Sequence, residues 1–201
     1  MITYLSSLIV NDVKKGKLNA VKRFLKSHAN DKDALNACEK ETWPLWFEGL
    51  YKQHGSSRDH LTHIAVRTNQ LEILAALIAC DGIDINLPNF DLVAPLTMAV
   101  LKNNLRAVNL LLAHPNIRVD IRNALDEVTP LILAAEIGSL PIVKTLLEHG
   151  ADKNHTRING CAAAQEALNS GHRNIADFIS TYQSPVVSNQ QPATLRPLSP
   201  Y

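Results

Sequence analysis

Residues 129–154 read TPLILAAEIGSLPIVKTLLEHGADKN, and the pattern recurs through the chain. Thirty-five positions earlier, residues 94–114 read APLTMAVLKNNLRAVNLLLAH. Thirty-four positions before that, residues 60–80 read HLTHIAVRTNQLEILAALIAC. Thirty-three positions after Thr129, residues 162–179 read AAAQEALNSGHRNIADFI. A weaker copy, DVKKGKLNAVKRFL at residues 12–25, matches the middle and end of the unit. A fixed period of this size marks stacked supersecondary units.

The unit has a physical logic. Thr129 can cap a helix, and Pro130 suits its first turn, where a missing N–H costs nothing. Ala134 and Ala135 are small enough for a second helix to approach closely. Gly138 can supply a left-handed stop. Ser139 can cap again, with Pro141 in the next first turn. Val143, Leu146 and Leu147 then form an apolar stripe at helical spacing, and Gly150 ends the second helix. Such a helix pair cannot bury its apolar face alone, so copies must stack.

These residues resemble the ankyrin repeat, whose pattern is T-P-L-H-x-A, a mid-unit Gly, V-x-x-L-L and G-A-D-x-N. Thr129-Pro130-Leu131, Gly138, Val143, Leu146-Leu147 and Gly150 to Asn154 follow it closely. Ala94-Pro95-Leu96 with Val108, Leu111 and Leu112 follows it well. His60 to Ala65 is degenerate but keeps His63 at the family's hydrogen-bonding His. The last copy keeps Gly160 and Gly171 and loses Thr-Pro. Two linkers, Cys80–Asn86 and His114–Asp120, are longer than the family pattern by about two residues. The implied fold is all-α: a solenoid of stacked helix pairs. We expect a degenerate capping repeat at 1–30, a helical insertion at 31–55, about four repeats at 56–182 and a disordered Pro-rich tail at 183–201.

The insertion follows from the register. From Leu25 the stripe returns only at Ile78, a spacing well over one unit. Within it, Trp43, Trp46, Phe47, Leu50 and Tyr51 share one helical face. Two readings stand. The stripe packs on the first repeats, or part of it stays open as a contact. Trp43, at the first turn, is then the more exposed of the two tryptophans. The tail after Tyr182 is Pro-rich and carries no acid, and reads as disordered. Its Arg196 to Pro200 run matches a polyproline II ligand, a pattern common by chance.

The 201 residues are 46% hydrophobic and 19% charged, with a net charge of +1. No global field steers the chain to nucleic acid or acidic lipid. Cys38, Cys80 and Cys161 are odd in number and far apart, which fits a reducing compartment. The opening MITYLSSLIVNDVKKGK puts its lysines after the apolar stretch, so we read no secretory signal. No apolar run approaches the roughly 18–20 residues of a membrane helix.

No catalytic constellation, phosphate loop or metal-ligand spacing is present, so we expect no enzyme, cofactor or metal. His60 and His63 lie three apart, but the register gives His63 a structural role. Asp126-Glu127 reads as solvated loop acid. Residues 14–26, KKGKLNAVKRFLK, carry six basic residues and no acid. They read as the polar outer face of a terminal repeat, or as a surface for an acidic partner or an anionic membrane.

The resemblance implies a protein-binding scaffold or adaptor that uses a concave side. That side is made of hairpin fingertips and first-helix edges. Register places Phe90, Leu125 and Ile158 at the fingertips, followed by Asp91, Asp126 and Asn159. Val93, Val128 and Cys161 come next. The helix edges carry Arg67-Thr68, Leu101-Lys102, Glu136-Ile137 and Asn169-Ser170. Of these, Phe90, Asp91, Leu101, Lys102, Leu125, Asp126, Glu136, Ile137, Ile158 and Asn159 are, with Trp43, the candidate contacts. Bulky apolar residues at one exposed loop position either pack on neighbouring fingers or form a ladder for an amphipathic or basic segment. We expect a protein partner, no nucleic acid, no membrane, a monomer and a cytoplasmic location. The alternatives are a membrane- or lipid-directed adaptor using the basic N-terminal face, or a bacterial effector acting in a host cytoplasm.

Overall fold

The structure is a computed structural model, and it describes residues 2–31, 35, 59–123 and 126–183. The proposed helix of Trp43 to Tyr51, Leu125 and the Pro-rich tail lie outside these residues. Among the described residues there are ten helices. They are α1 (Ile2–Lys14), α2 (Leu18–Ser27), α3 (Leu61–Arg67), α4 (Leu71–Ile78), α5 (Pro95–Leu101), α6 (Leu105–Leu112), α7 (Pro130–Ile137), α8 (Leu140–Glu148), α9 (Ala163–Asn169) and α10 (Arg173–Thr181). One isolated antiparallel bridge joins Thr156 to Ala162. The fold is an all-α solenoid.

The helices pair in chain order, and each pair stacks on the next. The first helices α1, α3, α5, α7 and α9 form one row of contacts, and α2, α4, α6, α8 and α10 form the other. The stripe residues fill the space between. Leu74 and Leu77, Val108 and Leu111, Val143 and Leu146, and Ala176 and Ile179 are buried at matching positions. Residues 2–27 form a whole helix pair, although their sequence shows only the later part of the unit. Ile9, Val10 and Val13 bury the first helix against its neighbours. At the other end, exposed Arg173 stands where earlier units have Leu71, Leu105 and Leu140, and exposed Ser180 replaces Ile78, Leu112 and Leu147. The outer side of α10 is therefore polar, as a terminal unit requires.

The turn inside each pair needs one left-handed residue. Gly16, Asn69, Asn103, Gly138 and Gly171 hold it at φ 69, 55, 47, 84 and 83. Asn tolerates this region better than other residues with a Cβ. The following residue reaches back over the previous unit's turn. Where that turn carries Asn, the pair hydrogen-bonds: Asn104 Nδ2 donates to Asn69 Oδ1 at 2.8 Å, and Ser139 Oγ donates to Asn103 Oδ1 at 2.6 Å. Where it carries Gly, a longer side chain fills the gap: Gln70 lies over Gly16, and His172 over Gly138. Ser139 was expected to cap its own helix. It makes no cap hydrogen bond and ties two units together instead. Thr129 caps as expected, its Oγ1 accepting from Ile132 N at 3.4 Å.

The turn yields a prediction. Gly138→Ala should cost roughly 1–2 kcal/mol for left-handed backbone, plus the cost of displacing the His172 ring. Gly150 has φ 87 with nothing within 4 Å of an added Cβ, so Gly150→Ala carries the backbone cost alone. Urea denaturation of both variants should find Gly138→Ala the less stable. Equal losses would mean that His172 swings aside freely.

The long linkers also have a use. Leu35 is buried over Gly82 in the first of them. Asn86 Nδ2 donates to Asn116 O at 2.8 Å, and Asn86 Oδ1 accepts from Arg118 N at 2.8 Å in the second. One unit later, Asp120 Oδ1 accepts from Asp152 N at 3.1 Å. The extra residues sit in a loop ladder and leave the helix rows intact.

Candidate protein-binding surface

Between units the chain runs out into short fingers. Asparagine closes each of them. Asn89 Oδ1 accepts from Asp91 N and Val93 N at 3.1 and 3.0 Å. Asn123 Oδ1 accepts from Asp126 N and Val128 N at 3.0 and 3.3 Å. Asn159 Oδ1 accepts from Cys161 N at 2.9 Å. A left-handed residue recurs here too: Leu92, Glu127 and Gly160, at φ 60, 54 and 81. Two of the three pay the cost of a Cβ in that region. Neighbouring fingers touch, as Ile158 N donates to Asp126 O at 3.2 Å.

Phe90 is 69% exposed and Ile158 70% exposed at the same register position. Leu92, Leu101 and Ile137 are also exposed apolar residues. Asp91, Lys102, Asp126, Glu136 and Asn159 are exposed beside them. Val128 is buried, and Val93 and Cys161 are half-buried, so these three do not extend the ladder. Leu125 and Trp43 fall outside the described residues. Leu92 was not foreseen: no pattern assigns a leucine to left-handed backbone.

Two polar clamps bind fingers to first-helix edges. In the first, buried Asp59 takes Arg67 Nη2 at 3.1 Å, and Asn89 Nδ2 donates to its other oxygen at 2.8 Å. Asp59 is an internal ligand that the sequence reading missed. Its place just before a degenerate His-Leu-Thr-His start was the available signal. In the second clamp, Arg157 lies 3.3 Å from buried Glu166 and 3.7 Å from Glu136, and Asn159 Nδ2 donates to Glu166 at 3.3 Å. Glu166 takes a first-helix position that is Ile64, Met98 or Leu133 in other units. A buried carboxylate demands such partners. Arg67, at a first-helix edge, is thereby engaged within the chain.

His63 lies near the first clamp, within electrostatic reach of Asp59 and Arg67. Its Nε2 meets Val93 O at 2.8 Å, so the neutral ring carries its proton there. Its buried Nδ1 has no hydrogen-bond partner among the described residues. Burial pushes the imidazole down to about 4. The Val93 carbonyl and Asp59 oppose that shift, while His60 and Arg67 add to it. Above the free value near 6.5 both folded and unfolded chains hold neutral His63, and the stability is fully present. As pH falls toward 4 the unfolded chain takes up the proton first, so stability is lost through that window. The loss should be about 2 kcal/mol at pH 5. Thermal or urea unfolding at pH 7.5 and 5 checks this, with His63→Gln expected to shrink the difference. An unchanged pH dependence in the variant would assign the acid sensitivity elsewhere.

Among the described residues no group of three or more His, Cys, Asp and Glu is placed to hold a metal ion. No described helix is long and apolar enough to cross a membrane.

The family model described as ankyrin repeats (3 copies) matches residues 96–189. FPV223 of fowlpox virus, named for its ankyrin repeats, is 32% identical over 122 residues, which is 61% of this chain and 82% of the viral protein. Ankyrin repeat protein nuc-2 of Neurospora crassa is 37% identical over 89 residues, 44% of this chain and 8% of that protein. The human transient receptor potential cation channel subfamily A member 1 is 28% identical over 156 residues, 78% of this chain and 14% of the channel. The chain thus spans only a small part of these last two proteins. The repeat register, the stacked helix pairs and these likenesses agree: the chain belongs to the ankyrin-repeat family.

Proposed function

We propose that this chain is a protein-interaction module whose partner lies along the fingers and first-helix edges. Ankyrin repeats generally mediate protein–protein interactions. The observation that carries the assignment to this face is the exposure of Phe90 and Ile158, 69% and 70%, at one register position. Exposed loops gain nothing from large apolar side chains in water, whereas interface cores are built from them. The two clamps hold the fingers against the helix edges, so the surface is formed before a partner arrives. A preformed surface loses less entropy on binding. We assign the chain no catalytic role and place it in the cytoplasm.

A second reading rests on the basic N-terminal pair of helices. Lys14, Lys15, Lys17, Lys22, Arg23 and Lys26 are all exposed, and one acid, Asp12, pairs with Lys17 at 3.0 Å. Such a face could meet anionic lipid. One experiment separates the two. The immobilised chain captures partners from lysate in parallel with Phe90→Ser/Ile158→Ser and Lys14→Glu/Lys15→Glu/Lys17→Glu variants, and all three are mixed with acidic liposomes. Capture lost only in the first variant supports the finger surface. Salt-sensitive liposome binding lost only in the second supports the lipid reading. Capture that survives the serine changes would refute the finger assignment.

A further inference from the structure

We infer that the partner segment is basic and apolar: a short stretch whose Lys or Arg side chains meet Asp91 and Asp126 while bulky apolar residues cover Phe90, Leu92 and Ile158. This rests on the protein-binding reading of the same surface and adds the sign of the partner's charge. The arginines on this side are engaged by the chain's own carboxylates. Arg67 is held by Asp59 at 3.1 Å, Arg122 by Glu127 at 3.5 Å, and Arg157 by Glu166 and Glu136 at 3.3 and 3.7 Å. Asp91 and Asp126 occupy the same place in consecutive fingers, are exposed, and have no ion pair among the described residues. Their backbone N–H groups are fixed by Asn89 and Asn123. Both aspartates are thus held at the backbone, yet no described cation neutralises their charges.

The helix edge does not reverse that sign. It exposes Lys102 in one unit, and in the next Glu136 shares the single Arg157 with Glu166, which leaves one negative charge to offset that lysine; the fingers decide the sign. An acidic peptide or a nucleic-acid backbone would bring anions against these two carboxylates, and like-charge juxtaposition disfavours such partners. The third finger has Asn159 in place of the aspartates, so the negative stretch ends there while the apolar contact continues through Ile158. The segment that fits carries its cations over the first two fingers and its apolar side chains along the row.

The test pans a random dodecapeptide phage library on the full chain and measures the selected peptides, resynthesised, by fluorescence polarisation. Enriched sequences should combine Lys or Arg with Phe, Leu, Ile, Met or Trp. Asp91→Asn/Asp126→Asn, isosteric and outside the helices, should weaken the leading peptide about tenfold. The loss should be smaller in about 0.5 M salt, where exposed charges are screened. Enrichment of acidic or uncharged peptides, no enrichment at all, or unchanged affinity in the Asn variant would overturn the inference. A peptide weakened by Phe90→Ser/Ile158→Ser but indifferent to the Asn changes would leave the finger surface standing and remove only the basic partner. Indifference to both pairs would remove both.

Discussion

Replacing Phe90 and Ile158 together with serine should weaken partner binding by about 2–4 kcal/mol, or roughly 30- to 1,000-fold in Kd, provided one of them is a central anchor. The helical circular dichroism signal and the urea midpoint should barely move. The reasoning rests on where these side chains are. Both are about 70% exposed in the free chain, so serine replaces side chains that lie mostly in water. The finger backbone is held by groups that the substitutions do not touch: Asn89 on Asp91 and Val93, Asn159 on Cys161, and the Asp126–Ile158 link. Binding alone should therefore suffer. A matched loss of folding stability would show instead that the two residues pack against neighbouring fingers. Retained affinity would move the contact away from the fingers.

The helix rows were legible in the sequence because their cause is periodic. Apolar residues at Val108, Leu111 and Leu112 and again at Val143, Leu146 and Leu147 leave one way to stack. Features that depend on a single neighbour were not legible. The turn positions of Asn69 and Asn103 read as ordinary polar residues until their left-handed backbone and their ties to Asn104 and Ser139 are seen. The helix Ile2–Lys14 has no Thr-Pro start and shares only its burial pattern with the other first helices. Phe90 and Ile158 were found by register alone, since each occupies a position that recurs. Asp59 and Glu166 were not, because a buried carboxylate is defined by partners contributed by other segments. Leu92 was invisible for a related reason: its left-handed backbone is imposed by the closed finger, against the residue's own preference.

Arg67→Met should destabilise the fold by about 3–5 kcal/mol, the usual cost of breaking a buried ion pair from one side. Asp59 is completely buried, and the Arg67 guanidinium 3.1 Å away supplies its opposite charge. Methionine keeps most of the apolar stem of arginine and removes the charge, so the buried carboxylate loses its guanidinium while the Asn89 amide stays at 2.8 Å. The Arg67 side chain is 28% exposed. Water can enter from that edge, which places the expected loss toward the lower end of the range. Asp59→Asn in the same chain should recover much of it, because an amide oxygen can still accept from Asn89 and no charge remains to be compensated. The cycle of single and double variants then isolates the pair from the packing of each residue. It also tests whether Arg67 serves partner or fold. A contact residue would give a variant of normal stability that binds poorly. A clamp residue gives a variant that unfolds early and binds normally while folded. Urea denaturation of the four proteins reads the difference, and an Arg67→Met loss under about 0.5 kcal/mol would return Arg67 to the binding surface.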